Sequence, residues 1–234
     1  MSRHLHSPFL LLCTFLAGCM PHQDREPVFP TEAHTAKAFM DQGQPAKAAQ
    51  IYRRIADEQS EFQDQLRLFT IESLIQSGDS DTAKHYADAI NPDNLTLLQR
   101  NQLNLYYAQI DLSFGNAEQA SARLNLVKPL QLSRSDQIKF HQSRALAYSL
   151  TGELKKSAAS RVDLSYLLPP AQQPANHAAI LETLSLLPVA TLEQTSPEST
   201  NALSGWMALA QLLKTNPHNR ALLDTALDQW RHNY

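Results

Sequence analysis

The sequence of 234 residues has little of what several classes of protein require. Its two cysteines, Cys13 and Cys19, both lie near the start, so the rest of the chain has no thiol for a disulfide or a nucleophile. The net charge is −3, and charges of both signs are mixed, which excludes the basic field that nucleic-acid binding needs. The G-x-S-x-G, H-E-x-x-H and C-x-x-C motifs and a phosphate-binding glycine loop are missing. We therefore expect no catalysis, cofactor, metal site or nucleic-acid partner.

The histidines and tyrosines could still contribute to a binding site. The nine histidines are scattered, and His85, His141 and His177 are each conceivable ligands, but the solvated surface of a helix is the simpler prediction. Five tyrosines lie on or beside apolar stripes, and we predict that they line a core or a groove rather than a ligand cage: Tyr52, Tyr86, Tyr106, Tyr107 and Tyr148.

The first 18 residues have the pattern of a signal peptide. A short positive region around Arg3 precedes an apolar stretch, residues 8–16, that is too short to cross a hydrocarbon core about 30 Å thick. The stretch ends in Leu16-Ala17-Gly18-Cys19, which resembles the bacterial lipobox. The resemblance implies that residues 1–18 are removed and that the Cys19 thiol carries diacylglycerol. The alternative is an ordinary signal peptide with a chance cysteine.

Lipidation at Cys19 would fix where the protein resides. Two or three acyl chains give a durable anchor, whereas one binds reversibly. An aspartate directly after the cysteine would resemble an inner-membrane retention signal, but the residue at that position is Met20. We therefore expect the protein to be anchored in the periplasmic leaflet of the outer membrane. Residues 19–31 include three prolines and little apolar periodicity, and this composition predicts a short extended tether.

Four of the six glycines recur at a nearly fixed spacing. Gly43, Gly78, Gly115 and Gly152 are separated by 35, 37 and 37 residues. A small residue stands five positions after each glycine, and an aliphatic residue stands twelve positions after each: Ala48, Ala83, Ala120 and Ser157, then Ile55, Ile90, Val127 and Leu164. Such internal similarity is typical of a repeat architecture.

Each unit is predicted to be a helical hairpin. Residues 65–76 carry apolar side chains at three- and four-residue spacing, which indicates one buried helical face. Gly78 is expected to end this helix with a positive φ, and Asp79 begins a stretch with N-cap chemistry for the next helix. The small residue five positions later is expected where the two helices cross closely.

The glycine, alanine and proline positions resemble those of the tetratricopeptide repeat. The sequence departs from that family in lacking the early tryptophan of its consensus. We predict an all-α fold, a solenoid of four tetratricopeptide-like hairpins over residues 32–168; a plain helical bundle is the alternative. Residues 169–234 are predicted to form capping hairpins, with breaks at Pro169, Pro170 and Pro174. Their helices are expected at residues 178–187, 203–213 and 220–230, with a polar connection over residues 191–200.

The C-terminal third carries a more specific resemblance. Residues 203–210 (LSGWMALA) and 227–234 (LDQWRHNY), preceded by residues 184–188 (LSLLP), resemble the end of the N-terminal domain of the LpoA family of penicillin-binding protein activator lipoproteins. The resemblance implies an outer-membrane lipoprotein that regulates peptidoglycan synthesis by contact with a class A penicillin-binding protein. It also implies that an α/β domain follows in the family, and we expect its linker to begin near Tyr234.

Two functional hypotheses follow from the sequence. In the first, the helical array belongs to such an activator. In the second, it is a general repeat-scaffold adaptor lipoprotein for the assembly of an envelope complex, such as a secretin or an outer-membrane insertase. An open concave groove with basic side chains would favour the adaptor.

Overall fold

The computed structural model describes residues 30–58, 62–193, 202–219 and 224–225. Within these ranges the regular structure is entirely helical, as the sequence predicted, and no helix is both long enough and apolar enough to span a bilayer. The signal peptide, Cys19 and nearly all of the last expected helix lie outside the described residues. The α-helices are α1 Thr31–Asp41, α2 Pro45–Glu58, α3 Gln63–Gln76, α4 Ser80–Asp88, α5 Leu97–Ser113, α6 Ala117–Leu124, α7 Arg134–Leu150, α8 Leu154–Ser165, α9 Gln173–Ser185, α10 Val189–Leu192 and α11 Ala202–Thr215.

The first eight helices form four successive hairpins. Hairpins 1 to 4 are α1/α2, α3/α4, α5/α6 and α7/α8, and each second helix also packs against the first helix of the following hairpin. The first helices α3, α5 and α7 contact one another in order, so they form one side of the array. This arrangement is the solenoid that the spacing of the glycines predicted.

The turn at each of the four repeated glycines has the same geometry. Gly78 has a φ of +81°, its N–H donates to Ile75 O at 3.1 Å, and the N–H of Asp79 donates to Leu74 O at 2.9 Å. These two bonds make a Schellman motif, which requires a positive φ and therefore favours glycine. The Asp79 carboxylate then accepts a hydrogen bond from Thr82 N as the N-cap of α4. One residue thus closes one helix and opens the next, which keeps the turn short.

The positions that recur after the glycines form the hairpin cores. The four small residues five positions after the glycines are fully buried, and the four aliphatic residues twelve positions after them are buried as well. At Ser157 the buried hydroxyl donates to Ala145 O at 2.7 Å, so this serine replaces alanine without an unpaired polar group. The four hairpins therefore use the same close helix crossing.

Successive hairpins share apolar clusters. One cluster joins Ala49 of α2 with Ile71 of α3, Ala87 of α4 and Tyr106 of α5. Another joins Leu105 of α5 with α6 and α7. Since each hairpin buries its apolar face against the next, the core runs continuously along the array.

The region after hairpin 4 differs from the sequence prediction in two places. Pro174 does not break the chain; it lies in the first turn of α9, where its missing N–H has no helical partner to lose. The predicted polar connection begins too early, because Leu192 ends α10 and is fully buried among α8, α9 and α11. α9 packs on α8, so the fourth hairpin is covered.

Candidate partner-binding groove

An ion pair shows which side of the array is concave. Lys139 of α7 donates to the carboxylate of Glu72 in α3 at 2.5 Å, across the intervening helix α5. Side chains two hairpins apart can meet in this way only on the inside of a curve. We call the surface formed by α1, α3, α5 and α7 the inner face.

Lys139 belongs to a partly buried polar network on the inner face. Its ammonium also lies 3.0 Å from the carboxylate of Asp136, which accepts hydrogen bonds from Gln102 and Ser133. Burial alone would lower the pKa of Lys139, but the Glu72 and Asp136 carboxylates outweigh burial and hold its pKa above the ordinary value. One cation therefore serves two carboxylates, and the network keeps an excess of negative charge.

A groove of about 410 Å³ opens beside this network. Side chains from α1, α2, α3 and the start of α7 line it, among them Met40, Asp41, Tyr52, Phe69, Glu72 and Ser135. Its volume falls within the roughly 300–1,000 Å³ of ligand pockets. Its lining combines an apolar floor with a few polar groups, which is the usual composition of a binding site.

The floor of the groove is aromatic. The rings of Tyr52 and Phe69 lie 5.3 Å apart at a tilt of 43°. Tyr52 is buried, whereas Met40 and Phe69 are only half-buried. The Met40 sulfur lies 3.1 Å from the Ser73 hydroxyl of α3, which ties α1 to the floor. Methionine adapts its shape to irregular ligands more readily than other apolar residues.

Carboxylates act on two of the tyrosines at and beside the floor. Burial, together with the carboxylates of Glu72 and Asp41, raises the pKa of Tyr52 to about 12. Burial and Glu72 likewise raise the pKa of Tyr106 well above its ordinary value. The Tyr106 hydroxyl donates a hydrogen bond to Glu72 at 3.3 Å. By contrast, Tyr86 on α4, whose pKa is raised chiefly by burial and Asp57, also has two nearby arginines that act in the opposite direction.

The charges around the groove do not cancel. Asp41 is paired with Lys37 at 2.8 Å, and Lys139 is shared by Glu72 and Asp136. Together these are three carboxylates and two ammonium groups, of which Asp41, Glu72 and Lys37 line the groove itself. This groove is therefore not the basic groove that would have favoured a general adaptor.

The histidine prediction was wrong at one position. His85 is exposed and His177 is half-buried against Trp206, but His141 is buried between α7 and α8. The Nδ1 atom of His141 lies 3.8 Å from an Asp163 carboxylate oxygen, and burial lowers the pKa of His141. In the described part of the chain, no three histidine, cysteine or acidic side chains are placed to share a metal ion.

The tyrosine prediction is confirmed. Tyr52 lines the groove, Tyr106 and Tyr148 are buried, and Tyr86 and Tyr107 pack against the core of hairpins 2 and 3.

Sequence reasoning missed Glu72, Asp136 and Lys139. A signal for them exists in the repeat itself. Glu72 contacts Tyr106, which lies 34 residues, or about one repeat, further along the chain. It also contacts Lys139, which lies 67 residues, or about two repeats, further along. Polar residues in first helices at multiples of the repeat length lie on the same face of the array, but this spacing alone does not show which of them meet.

Comparison with known proteins places the chain in a family of putative lipoproteins. The family model described as "LppC putative lipoprotein" matches residues 42–234. The penicillin-binding protein activator LpoA of Edwardsiella piscicida is 24% identical over 228 residues, covering 97% of this chain and 32% of the relative. The protein of the same name from Pectobacterium parmentieri is 24% identical over 242 residues with the same coverage. The chain thus spans about a third of the length of these curated relatives.

Solved structures have the same fold. The E. coli LpoA amino-terminal domain matches with a TM-score of 0.66 at 17% identity, over 88% of this chain and 91% of that domain. Full-length LpoA from Haemophilus influenzae matches with a TM-score of 0.62 at 18% identity, over 80% of this chain and 34% of that protein. At these identities the likeness establishes the helical fold.

Proposed function

The chain belongs to the LppC lipoprotein family, and we propose on this premise that it is the helical, partner-binding part of a lipoprotein that activates a class A penicillin-binding protein. The observation that carries the proposal is the near-complete alignment, over 97% of this chain, with relatives named penicillin-binding protein activators. Those relatives are named as regulators of an enzyme. This agrees with the lack of catalytic motifs in the sequence.

The inner face supports a binding role. Its groove combines half-buried apolar side chains with carboxylates that outnumber the lysines paired with them. Solenoids present such concave surfaces to partners, because their curvature makes an extended surface that one protein segment can follow. We therefore place the contact with the penicillin-binding protein on the inner face.

The anchor and the location are part of the proposal. Diacylglycerol on Cys19 would hold the chain at the periplasmic leaflet of the outer membrane, with the residues between Cys19 and α1 as the tether. Peptidoglycan synthesis takes place between the two membranes, so an anchored array could reach a synthase from the outer side.

Crosslinking in cells tests the partner. A photo-crosslinking amino acid replaces Lys37 at the edge of the groove. The matched control replaces Lys84, another exposed lysine, on α4, whose partner is also an aspartate four residues away. Recovery of a class A penicillin-binding protein from position 37 and not from position 84 supports the proposal. Recovery of a secretin or an insertase with no synthase would instead support the adaptor hypothesis.

Activation is measured separately from contact. The mature chain, with Cys19→Ser to keep it soluble, is added to a purified class A penicillin-binding protein, and glycan polymerisation and peptide crosslinking are followed with labelled lipid II. Faster synthesis would support activation by this part alone. Binding without faster synthesis would limit this chain to the docking role and contradict activation by the helices.

A further inference from the structure

We infer that the groove between α1, α3 and α7 holds a partner segment in which a lysine or arginine stands beside a large apolar side chain. This inference deepens the proposed function, because it assigns the chemistry of the segment that the partner inserts. It does not depend on which protein supplies the segment, and it is tested with peptides in the absence of a synthase.

The apolar half of the inference follows from the floor. Met40, Tyr52 and Phe69 converge there, and the groove is large enough for a large side chain to enter. The half-buried surfaces of Met40 and Phe69 lose contact with water when such a side chain covers them. An aromatic or large aliphatic side chain gains most from this burial.

The cationic half follows from the charges. Asp41 and Glu72 both line the groove and both act on the Tyr52 hydroxyl, while the lysines nearby are already paired. An incoming ammonium or guanidinium would supply the third cation for three carboxylates. It would also lie against the half-buried ring of Phe69, since aromatic rings attract cations within about 6 Å of the ring centre. An acidic segment would meet the same carboxylates and be repelled.

The geometry distinguishes this groove from the other apolar surfaces of the array. Leu126 and Leu130 are strongly exposed between hairpins 3 and 4, and a shallow surface near Leu154 and Leu203 lies beside α11. The surface near Leu154 is lined by Glu153, Lys155 and Lys156, so its excess charge is positive and does not favour a cationic segment. The groove on the inner face combines an apolar floor with an excess of negative charge.

Selection from a random peptide library tests the inference. Dodecapeptides are selected on the mature chain with Cys19→Ser and sequenced, and recovered peptides are measured by fluorescence anisotropy at low and physiological salt. We expect enrichment of Lys or Arg next to Phe, Tyr, Trp, Leu or Met, and weaker binding at higher salt, where charges farther apart than about 8 Å are screened. Enrichment of acidic peptides, or no shared composition, would overturn the inference.

Variants at exposed positions localise the binding without disturbing the core. His34→Trp and Ser135→Trp place a bulky side chain on opposite sides of the groove, and both residues are exposed. Each is expected to weaken the peptides by about tenfold or more, because truncating or blocking a central contact commonly costs at least that much. The matched control, His85→Trp, makes the same change on the exposed surface of α4 and is expected to leave binding unchanged. Equal weakening by the control would remove the groove as the site.

A charge variant tests the cationic half. Asp41→Lys is expected to weaken basic peptides by about fivefold to tenfold and to spare matched peptides with norleucine in place of the basic residue. Equal effects on both peptides would contradict the charge argument.

Two other possible occupants of the groove, the chain's own residues 20–29 and a second copy of the chain, are tested by measuring their binding in the same assay. Preferential binding of a synthetic peptide of residues 20–29, which carries Arg25 and Phe29, would assign the groove to the chain's own tether and overturn a partner segment. Self-association that His34→Trp abolishes would assign the groove to a second copy and would overturn it as well.

Discussion

Replacement of Lys139 by methionine is expected to lower the free energy of unfolding by about 3 kcal/mol, because it leaves two carboxylates partly buried with no cation between them. The side chains of Lys139, Glu72 and Asp136 are 18%, 24% and 7% exposed, so water reaches this network only in part. Methionine keeps most of the length of the lysine stem. The change therefore removes the charge while leaving the packing of α7 largely intact.

The magnitude follows from the geometry. Two unit charges 3.0 Å apart attract by about 5–6 kcal/mol at an effective dielectric constant near 20, and the cost of removing the ions from water offsets most of that gain. Breaking a buried pair by removing one partner costs roughly 3–5 kcal/mol. The residual exposure of Lys139 and Glu72 places the expected loss at the lower end of that range.

A double-mutant cycle separates the ion pair from the packing. Glu72→Gln keeps an acceptor for the Tyr106 hydroxyl and leaves Lys139 with Asp136, so we expect a loss of about 1 kcal/mol. The double variant is expected to lose about 1–2 kcal/mol less than the two single losses together, since residues in direct contact do not behave additively.

Urea unfolding followed by far-UV circular dichroism measures each variant on the mature chain. The control is Lys155→Met, which removes an exposed lysine of α8 and is expected to change stability by no more than about 0.5 kcal/mol. A loss for Lys139→Met equal to that of the control would refute the reasoning. Strictly additive losses at Lys139 and Glu72 would show that their contact contributes no stability.

Four further outcomes are expected. Gly115→Ala should lower the free energy of unfolding by about 1–2 kcal/mol. The loss comes from the φ of +78° alone, because a Cβ there meets no atom within 4 Å. An unchanged urea midpoint would contradict this. Burial lowers the pKa of His141 despite the Asp163 carboxylate, so the unfolded chain binds the proton more readily, and stability should fall as the pH drops below about 6.5. His141→Gln should reduce this loss between pH 7.5 and pH 5, and an identical pH dependence would exclude the histidine as its source. Burial and the two nearby carboxylates raise the pKa of Tyr52 to about 12, so the folded state holds this proton more tightly than the unfolded chain. The stability that Tyr52 contributes should therefore be lost as the pH rises from about 10 to about 12. Tyr52→Phe should reduce the loss of stability at alkaline pH. Equal alkaline unfolding midpoints for the variant and the unaltered chain would disprove this. Cys19→Ser should abolish incorporation of labelled palmitate, and labelling that persists would exclude Cys19 as the lipidated residue.

The architecture could be predicted because it depends on positions with few chemical solutions. Gly43, Gly78, Gly115 and Gly152 all have φ values between +70° and +81°, which other residues rarely adopt. Small residues are likewise required where two helices cross closely. Such constraints leave a visible spacing in the sequence. The start of α9 was missed because Pro174 was taken as a break, whereas in a first helical turn it fits without loss.

The groove could not be predicted in the same way. Glu72 and Lys139 are ordinary helical residues, and the spacing within one helix does not show that they meet. Their contact depends on the curvature of the array, which accumulates from small rotations between successive hairpins. His141 was misplaced for a related reason: α8 covers it, and the sequence of α7 alone does not show that.

The bond between Lys139 and Glu72 also has a mechanical consequence. A curved array pulled at its two ends straightens, and the inner face lengthens more than the outer face. Hairpins 2 and 4 are joined on that inner face, across α5, so tension along the array must stretch this ion pair before the curve can open. The array is therefore stiffer against extension between these hairpins than contacts between neighbouring hairpins alone would make it. An envelope protein held at one end by lipid and at the other by a partner would share its load between this ion pair and the apolar contacts of neighbouring hairpins.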